Sequence, residues 1–203
     1  MSYQQPKPAF ALAGRRRRIP MAGAGPEKVH AQREAVQRLI SLGHRRIVML
    51  THEERRNPDP GFLERAFLQE LESHDIKTGI YNLPDWKYNI VGFHQCLDSL
   101  FRHTPPMALI LDEMPLFIAA QLHLARGGFL APRDVSLICT DPNPAFAWCQ
   151  PSVAHIHWDA RPIVRRIVRW ADNVARGRED RHQSNTRAEF VEGGTIGPAP
   201  GTT

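Results

Sequence analysis

The sequence has few cysteines and no long apolar run. Its three cysteines, Cys96, Cys139 and Cys149, are odd in number, far apart and without a CxxC pair. No apolar region of a signal peptide stands at the N-terminus, and no apolar run approaches the ~18 residues that a membrane helix needs. This usage is not typical of a disulfide-stabilised secreted domain. We therefore expect a reduced, cytoplasmic protein without a membrane span.

The excess of positive charge is confined to two short stretches. The formal net charge is +5, and seven arginines lie in the block Arg15–Arg18 and in the run Arg165, Arg166 and Arg169. Without these seven arginines the net charge of the chain would be slightly negative. Local basic runs are typical of solvated surfaces. Pro20 would stop a helix soon after the first block, so that block offers no element that fits a DNA groove. Non-specific nucleic-acid binding is the alternative, and it predicts a steep salt dependence.

Helices and strands are predicted to alternate along most of the 203 residues. Apolar positions at helical spacing predict a helix over 28–42, which Gly43 ends. Continuous apolar runs at 46–51, 107–112 and 135–140 are typical of parallel strands buried on both faces. The other predicted elements are helices at 62–73, 90–101, 115–127 and 161–175, strands at 9–13, 78–83, 154–158 and 188–194, a glycine-rich turn at 23–25, and disordered ends at 1–8 and 198–203.

This alternation predicts an α/β fold with a parallel sheet and flanking helices. Open sheets of this kind bind ligands at the carboxyl ends of their strands. The loops at 51–61, 83–89, 112–114 and 141–149 are therefore the expected places for chemistry. The residues selected by this rule are Trp86, Asp112, Glu113, Asp141 and Trp148.

Several segments together resemble a known family. They are, in chain order, AVQRLISLGHRRIVML, FLERAFLQEL, DWKYNIVGFHQCLDSL, PPMALILDE, PRDVSLICTDP, SVAHIHWD and AEFVEGGTIG. Their order and spacing, from about residue 10 to residue 197, are similar to the sensor core of the lactose repressor–galactose repressor (LacI/GalR) family of transcription regulators. No single segment is specific, but the series is.

The resemblance implies a type I periplasmic-binding-protein fold, in which two α/β subdomains close on a small effector, commonly a sugar. It implies a C-terminal effector-binding subdomain at 27–150 and 182–197, and a partial N-terminal subdomain at 9–26 and 152–178. The family binds operator DNA as a dimer through a preceding helix-turn-helix domain. We expect that domain, and the first three strand–helix units of the N-terminal subdomain, to be absent from this chain. The partial subdomain would then leave apolar surface that is either poorly ordered or covered by another chain.

The resemblance also assigns ligand roles to two side chains, and a third candidate lies beside one of them. Trp86 lies where some members place an aromatic ring on the effector, and the neighbouring Asp85 could accept hydrogen bonds from hydroxyls. Asp141 lies at the position of the aspartate that binds effector hydroxyls in the family's GFD motif. The alternatives are structural: Trp86 would fix its loop to the next helix, and Asp141 would cap the turn before Pro142.

The remaining ligand candidates fit the family pattern less closely. Asp112 and Glu113 lie near the family's ND motif, but the asparagine is replaced or shifted; capping of the helix at Pro115 is the alternative role. Arg65 is off register, because it comes one residue before Ala66–Phe67, whereas the family places its effector-clamping arginine about three residues before the corresponding pair. Arg55 or Arg56 could take its place, and a surface salt bridge is the alternative for each.

The sequence supports neither a metal site nor catalysis. His155 and His157 share one face of a strand, but zinc needs three or four ligands and no carboxylate or cysteine pairs with them in an obvious way. The serines and cysteines lie in no nucleophile elbow, and the GAG at 23–25 lacks the lysine and framing of a phosphate loop. No cofactor is expected.

We therefore expect the effector-sensing core of a LacI/GalR-like regulator, a homodimer without catalytic activity. A transport-type solute-binding protein of the same fold, or a remnant without a ligand, is the alternative. An enzyme would need an acid–base pair that the sequence does not reveal.

Overall fold

The computed structural model describes residues 8–12, 21–56 and 59–201. The predicted disorder of residues 1–7 and the interpretation of Arg15–Arg18 concern residues outside the described part. In chain order the elements are β1 (Phe10–Leu12), β2 (Ala22–Glu27), α1 (Val29–Ser41), β3 (Ile47–Leu50), a 3-10 helix (Glu53–Arg56), α2 (Phe62–Glu72), α3 (Ile90–His103), β4 (Ala108–Leu111), α4 (Met114–Arg126), β5 (Ser136–Cys139), a second 3-10 helix (Pro144–Trp148), β6 (Ala154–Trp158), α5 (Arg161–Ala175) and β7 (Gln183–Val191).

The chain divides into two compact units. Unit 1 holds the described residues up to Lys28 together with Trp158–Ala188, and unit 2 holds Val29–His157 and the described residues from Glu189 onwards. All strand pairs with a defined register are parallel, which confirms the predicted α/β class. The observed division differs from the predicted subdomains chiefly in two places. Residues 152–157 belong to unit 2, where β6 pairs with β5, and residues 182–188 belong to unit 1, where β7 pairs with β2.

Unit 2 is built on four parallel strands in the order β6-β5-β4-β3. Every residue of β3, β4 and β5 is buried, as continuous apolar runs predict for strands covered on both faces. Alternate residues of β3 point to opposite faces. Val48 and Leu50 pack with α3 and α4, whereas Ile47 and Met49 pack with α1 and α2. The sheet therefore has one hydrophobic layer on each face. These two layers hold the strands, and so the ends of the strands, in place.

Unit 1 is smaller and has a three-stranded sheet, β1-β2-β7, with α5. Arg166, buried on α5, donates bidentately to Asp180 at 3.0 and 2.6 Å and also to the His182 carbonyl at 2.6 Å. These bonds offset much of the cost of burying the ion pair, while Arg166 Nε has no hydrogen-bond partner among the described residues. Exposed apolar side chains in this unit include Leu12, Val164 and Val168.

Three sequence-based assignments of strands were wrong. The glycine-rich turn at 23–25 lies inside β2, whose small residues are buried between two neighbouring strands. The final strand begins at Gln183 rather than at 188, since its polar first half pairs with β2 through its backbone while alternate side chains stay exposed. The expected strand at 78–83 is a turn, in which Asn82 alone bonds to β3 through its carbonyl and its side-chain amide.

The predicted disorder of the C-terminal tail is also wrong for its described residues. Ala199 is buried, and its N–H donates to the Leu42 carbonyl at 2.8 Å. Gly43 has a φ of 91° at the end of α1, as the sequence predicts for a helix-ending glycine. The last residues therefore pack against the end of α1.

Among the helices that the structure describes, none has both the length and the apolar character needed to cross a bilayer.

His44 is buried where the tail meets α1. Its Nε2 lies 2.8 Å from the Gly197 carbonyl, and Nδ1 has no hydrogen-bond partner among the described residues. Burial lowers the pKa of His44 below its usual 6.5, against the opposing effect of the Gly197 hydrogen bond. At neutral pH the imidazole of the folded protein is therefore uncharged.

We expect acid to destabilise the fold through His44. Below pH 6.5 the unfolded chain binds a proton that the folded chain does not, so the free energy of unfolding falls with pH by up to ~1.4 kcal/mol per unit until the folded pKa is reached. Urea unfolding between pH 8 and pH 5 measures this slope. H44Q should flatten it, and H103Q, at an exposed position on α3, should not. Equal slopes in wild type and H44Q would contradict the assignment.

Candidate functional site

The residues that directly follow three neighbouring strands are polar and buried. Thr51 follows β3, Asp112 follows β4 and Thr140 follows β5. Parallel strands bring these residues to one edge of the sheet, where α/β proteins bind ligands. Thr140 donates through Oγ1 to the Asp112 carbonyl at 2.9 Å, and the same hydroxyl lies 3.2 Å from Asp112 Oδ1.

Asp112 is a buried carboxylate held by donors from the loop after β3. Its Oδ2 lies 2.8 Å from Arg55 Nε and 3.4 Å from the backbone nitrogen of His52. An opposite charge and hydrogen bonds are what a buried carboxylate requires. Asp112 does not cap α4, because Glu113 occupies the N-cap position, where its side chain makes no capping hydrogen bond. Asp112 instead joins the ends of β4 and β5 to the first 3-10 helix.

Glu64 is a second buried carboxylate, only 2% exposed, in the first turn of α2. It accepts hydrogen bonds from the Gly61 N–H at 2.7 Å, from Arg56 Nε at 3.0 Å and from the Thr51 hydroxyl. Gly61 cannot carry a side chain here, since a Cβ would lie 2.2 Å from the Arg55 carbonyl oxygen. Glu64 therefore binds the end of β3, the 3-10 helix and the start of α2 to one another.

Arg56 connects this cluster to the loop at 84–89. Its Nε bonds to Glu64, one terminal nitrogen pairs with the Asp85 carboxylate, and the other donates to the Pro84 carbonyl at 2.9 Å. Each guanidinium nitrogen thus has an acceptor. The Arg56 side chain is 13% exposed, whereas that of Asp85 is 90% exposed. Arg56 therefore fixes an exposed carboxylate beside the strand ends.

Trp86 lies next to Asp85 and belongs to a line of aromatic rings. Its ring centroid is 5.4 Å from that of Tyr88 and 5.2 Å from that of Phe93, and it packs partly against the core. The Tyr88 ring also lies 3.6 Å from that of His52. These contacts hold the indole in place while part of it remains accessible.

A groove of ≈ 850 Å³ opens at this place. The residues that line it are Thr51, Glu53, Arg56, Asp59, Asp85, Trp86, Lys87, Gly92, Gln95, Cys96 and Ser99. Burial raises the pKa of the Cys96 thiol to about 11, so this cysteine is protonated at neutral pH. The groove is large enough for a small metabolite.

The structure brings together some of the predicted ligand residues. Arg56, Asp85 and Trp86 line the groove, and Asp112 lies in the network of the strand ends. Asp141, which follows Thr140, and Glu113 at the start of α4 are partly buried and are not among the residues that line the groove. Their predicted ligand contacts stay predictions.

Two predicted ligand residues lie elsewhere. Arg65 is on the exposed side of α2, and Trp148, on the second 3-10 helix, is 90% exposed. Neither lines the groove. His155 bonds through Nδ1 to the Val153 carbonyl at 2.8 Å. Within the described residues, no group of three or more histidines, cysteines and carboxylates could hold a metal ion.

Sequence reasoning missed Thr51, Thr140 and Glu64. The first two could have been found, because each is the polar last residue of a predicted strand, as Asp112 is. Glu64 gives no such signal, because a glutamate on a helix is usually solvated. Its burial depends on partners from three separate segments.

The family described as periplasmic binding protein-like domain matches residues 36–196. Comparison with curated proteins gives no match.

Solved structures of LacI-family regulators share the fold. One, from Enterococcus faecium with bound ribose, has a TM-score of 0.77 at 16% identity, covering 94% of this chain and 71% of that one. A sugar-binding regulator from Escherichia coli in complex with phosphate has a TM-score of 0.73 at 18% identity, with coverage of 94% and 69%. A dimeric Lac repressor with a C-terminal deletion has 0.75 at 15%, with coverage of 94% and 69%. At these identities the likeness shows a common fold.

We expect Glu64 to be essential for the stability of this region. E64A would leave Arg56 without its buried partner and the Gly61 N–H without an acceptor, which should lower the free energy of unfolding by about 3 kcal/mol. Chemical denaturation measures the change. R65A, on the exposed side of the same turn, is the matched control and should stay within about 0.5 kcal/mol of wild type. A loss as small for E64A as for R65A would contradict the role of Glu64.

Proposed function

The chain belongs to the periplasmic binding protein-like domain family, and from this premise we propose that it is the effector-sensing core of a LacI/GalR-type transcription regulator. In this proposal the chain binds a small polar metabolite, a sugar, and does not transform it. It acts in the cytoplasm as a homodimer. Operator DNA would be bound by a helix-turn-helix domain, not by the residues described.

The observation that carries the proposal is the arrangement of Trp86 and Asp85 at the rim of the groove. An aromatic ring can cover the apolar face of a sugar, and an ionised carboxylate can accept hydrogen bonds from its hydroxyls. Arg56 holds Asp85 in place through bonds that reach back to the buried Glu64. A rim fixed before binding loses little entropy when a ligand arrives.

The structural relatives support a sugar as the ligand class. The Enterococcus faecium regulator contains ribose, and the Escherichia coli regulator is described as sugar-binding. The protonated thiol of Cys96 favours a binding role for the groove, because a cysteine nucleophile acts as the thiolate. The transport-type binding protein and the remnant without a ligand remain the alternatives to be tested.

We expect Trp86 to report sugar binding. A panel of neutral pentoses and hexoses, starting with ribose, is titrated against the chain while tryptophan fluorescence is recorded, with calorimetry as the second measurement. W86L should weaken binding at least tenfold, equivalent to ~1.4 kcal/mol. W148F, outside the groove, should leave the affinity unchanged.

Each result of this titration favours one of the candidate functions. The absence of any response across the panel would favour the remnant. A second result is a sugar that binds and yet leaves operator binding unchanged in a protein that carries the helix-turn-helix domain. That result would favour the transport-type protein. A sugar that changes operator binding would support the regulator.

Asp141 provides a second test of the proposed site. If its carboxylate accepts hydrogen bonds from the ligand, D141A should abolish the fluorescence response to the sugar that wild type binds. D172N, at an exposed position on α5 in unit 1, is the charge control and should respond as wild type does. An unaltered titration in D141A would remove Asp141 from the site.

A further inference from the structure

Arg56 is the most buried positively charged side chain that lines the groove. Its guanidinium already bonds to other groups of the protein. A guanidinium at the wall of a ligand groove is well suited to bind phosphate or carboxylate groups, because its planar fork matches their oxygens. Here Glu64, Asp85 and the Pro84 carbonyl each accept from one of its nitrogens. Every guanidinium nitrogen of Arg56 therefore already has an acceptor within the protein before an anionic ligand arrives.

The three acceptors are not equally fixed. Glu64 is buried and also bonds to Thr51 and Gly61, and the Pro84 carbonyl is part of the backbone. Asp85, in contrast, is 90% exposed and bonds to Arg56 from the solvent side. Its carboxylate therefore lies on the side from which an anionic group of a ligand would approach Arg56.

The other charges of the groove do not favour an anion either. Arg55, next to Arg56, is paired at 2.8 Å with the buried Asp112. Lys87 lines the groove together with three carboxylates, Glu53, Asp59 and Asp85. An incoming phosphate would meet more negative than positive groups among these lining side chains.

We propose that Asp85 is a specificity residue, a tethered anion that keeps Arg56 from phosphorylated and acidic sugars. The groove then selects uncharged polyols, whose hydroxyls donate to carboxylates without repulsion. This inference rests on the proposed function for the identity of the ligand as a sugar. Its central claim, that Asp85 blocks Arg56 towards anions, can be tested without a sugar.

The test compares D85N with D59N. Both variants remove one negative charge from an exposed residue that lines the groove, but only Asp85 bonds to Arg56. Calorimetric titrations use inorganic phosphate, ribose 5-phosphate and ribose at constant ionic strength. We expect D85N to bind phosphate and ribose 5-phosphate at least tenfold more tightly than wild type, and D59N to match wild type. Circular dichroism confirms that both variants are folded.

The outcomes separate this inference from the proposed function. The inference would be overturned if the wild-type protein bound ribose 5-phosphate as tightly as ribose. It would also be overturned if D85N and D59N had equal affinities for phosphate. A gain in phosphate affinity confined to D85N supports the inference even if wild type binds no neutral sugar, a result that would count against the proposed function alone.

Discussion

Two buried carboxylates constrain the loops around the groove at the ends of strands β3 and β4. Asp112 and Glu64 are removed from water, and a carboxylate in that position is stable only with an opposite charge and several donors. Two consecutive residues of one 3-10 helix meet this requirement, since Arg55 pairs with Asp112 and Arg56 with Glu64. A segment of four residues is thereby tied to β4 and to α2 at once.

This pairing explains how a rim made of loops can be well defined. Arg56 continues from Glu64 to Asp85, and the aromatic rings around Trp86 complete the connection to α3 through Phe93. The charges that hold the rim together are the same charges that a ligand would meet. If the groove binds a ligand as we propose, structural support and ligand selectivity depend on one set of ion pairs.

The sequence was a good guide wherever burial on two faces produced continuous apolar runs. The strands β3, β4 and β5 and the helices around them were predicted close to their observed bounds. It was a poor guide where paired strands lack large apolar side chains. The first half of β7 is polar and β2 consists mostly of glycine and alanine, so neither shows the pattern of a strand, yet both are held by parallel neighbours.

By itself, the sequence determined the α/β class and the strand ends at which polar residues such as Asp112 lie, because local apolar patterns and the parallel arrangement suffice for both. The tertiary structure alone decided which polar groups meet. Arg56, Glu64 and Asp85 belong to three segments whose contact no local pattern encodes, and Arg65 and Trp148 are set apart from them by the turn of a helix and the course of a loop. Charge pairing over such distances depends on the packed sheet and helices that bring the segments together.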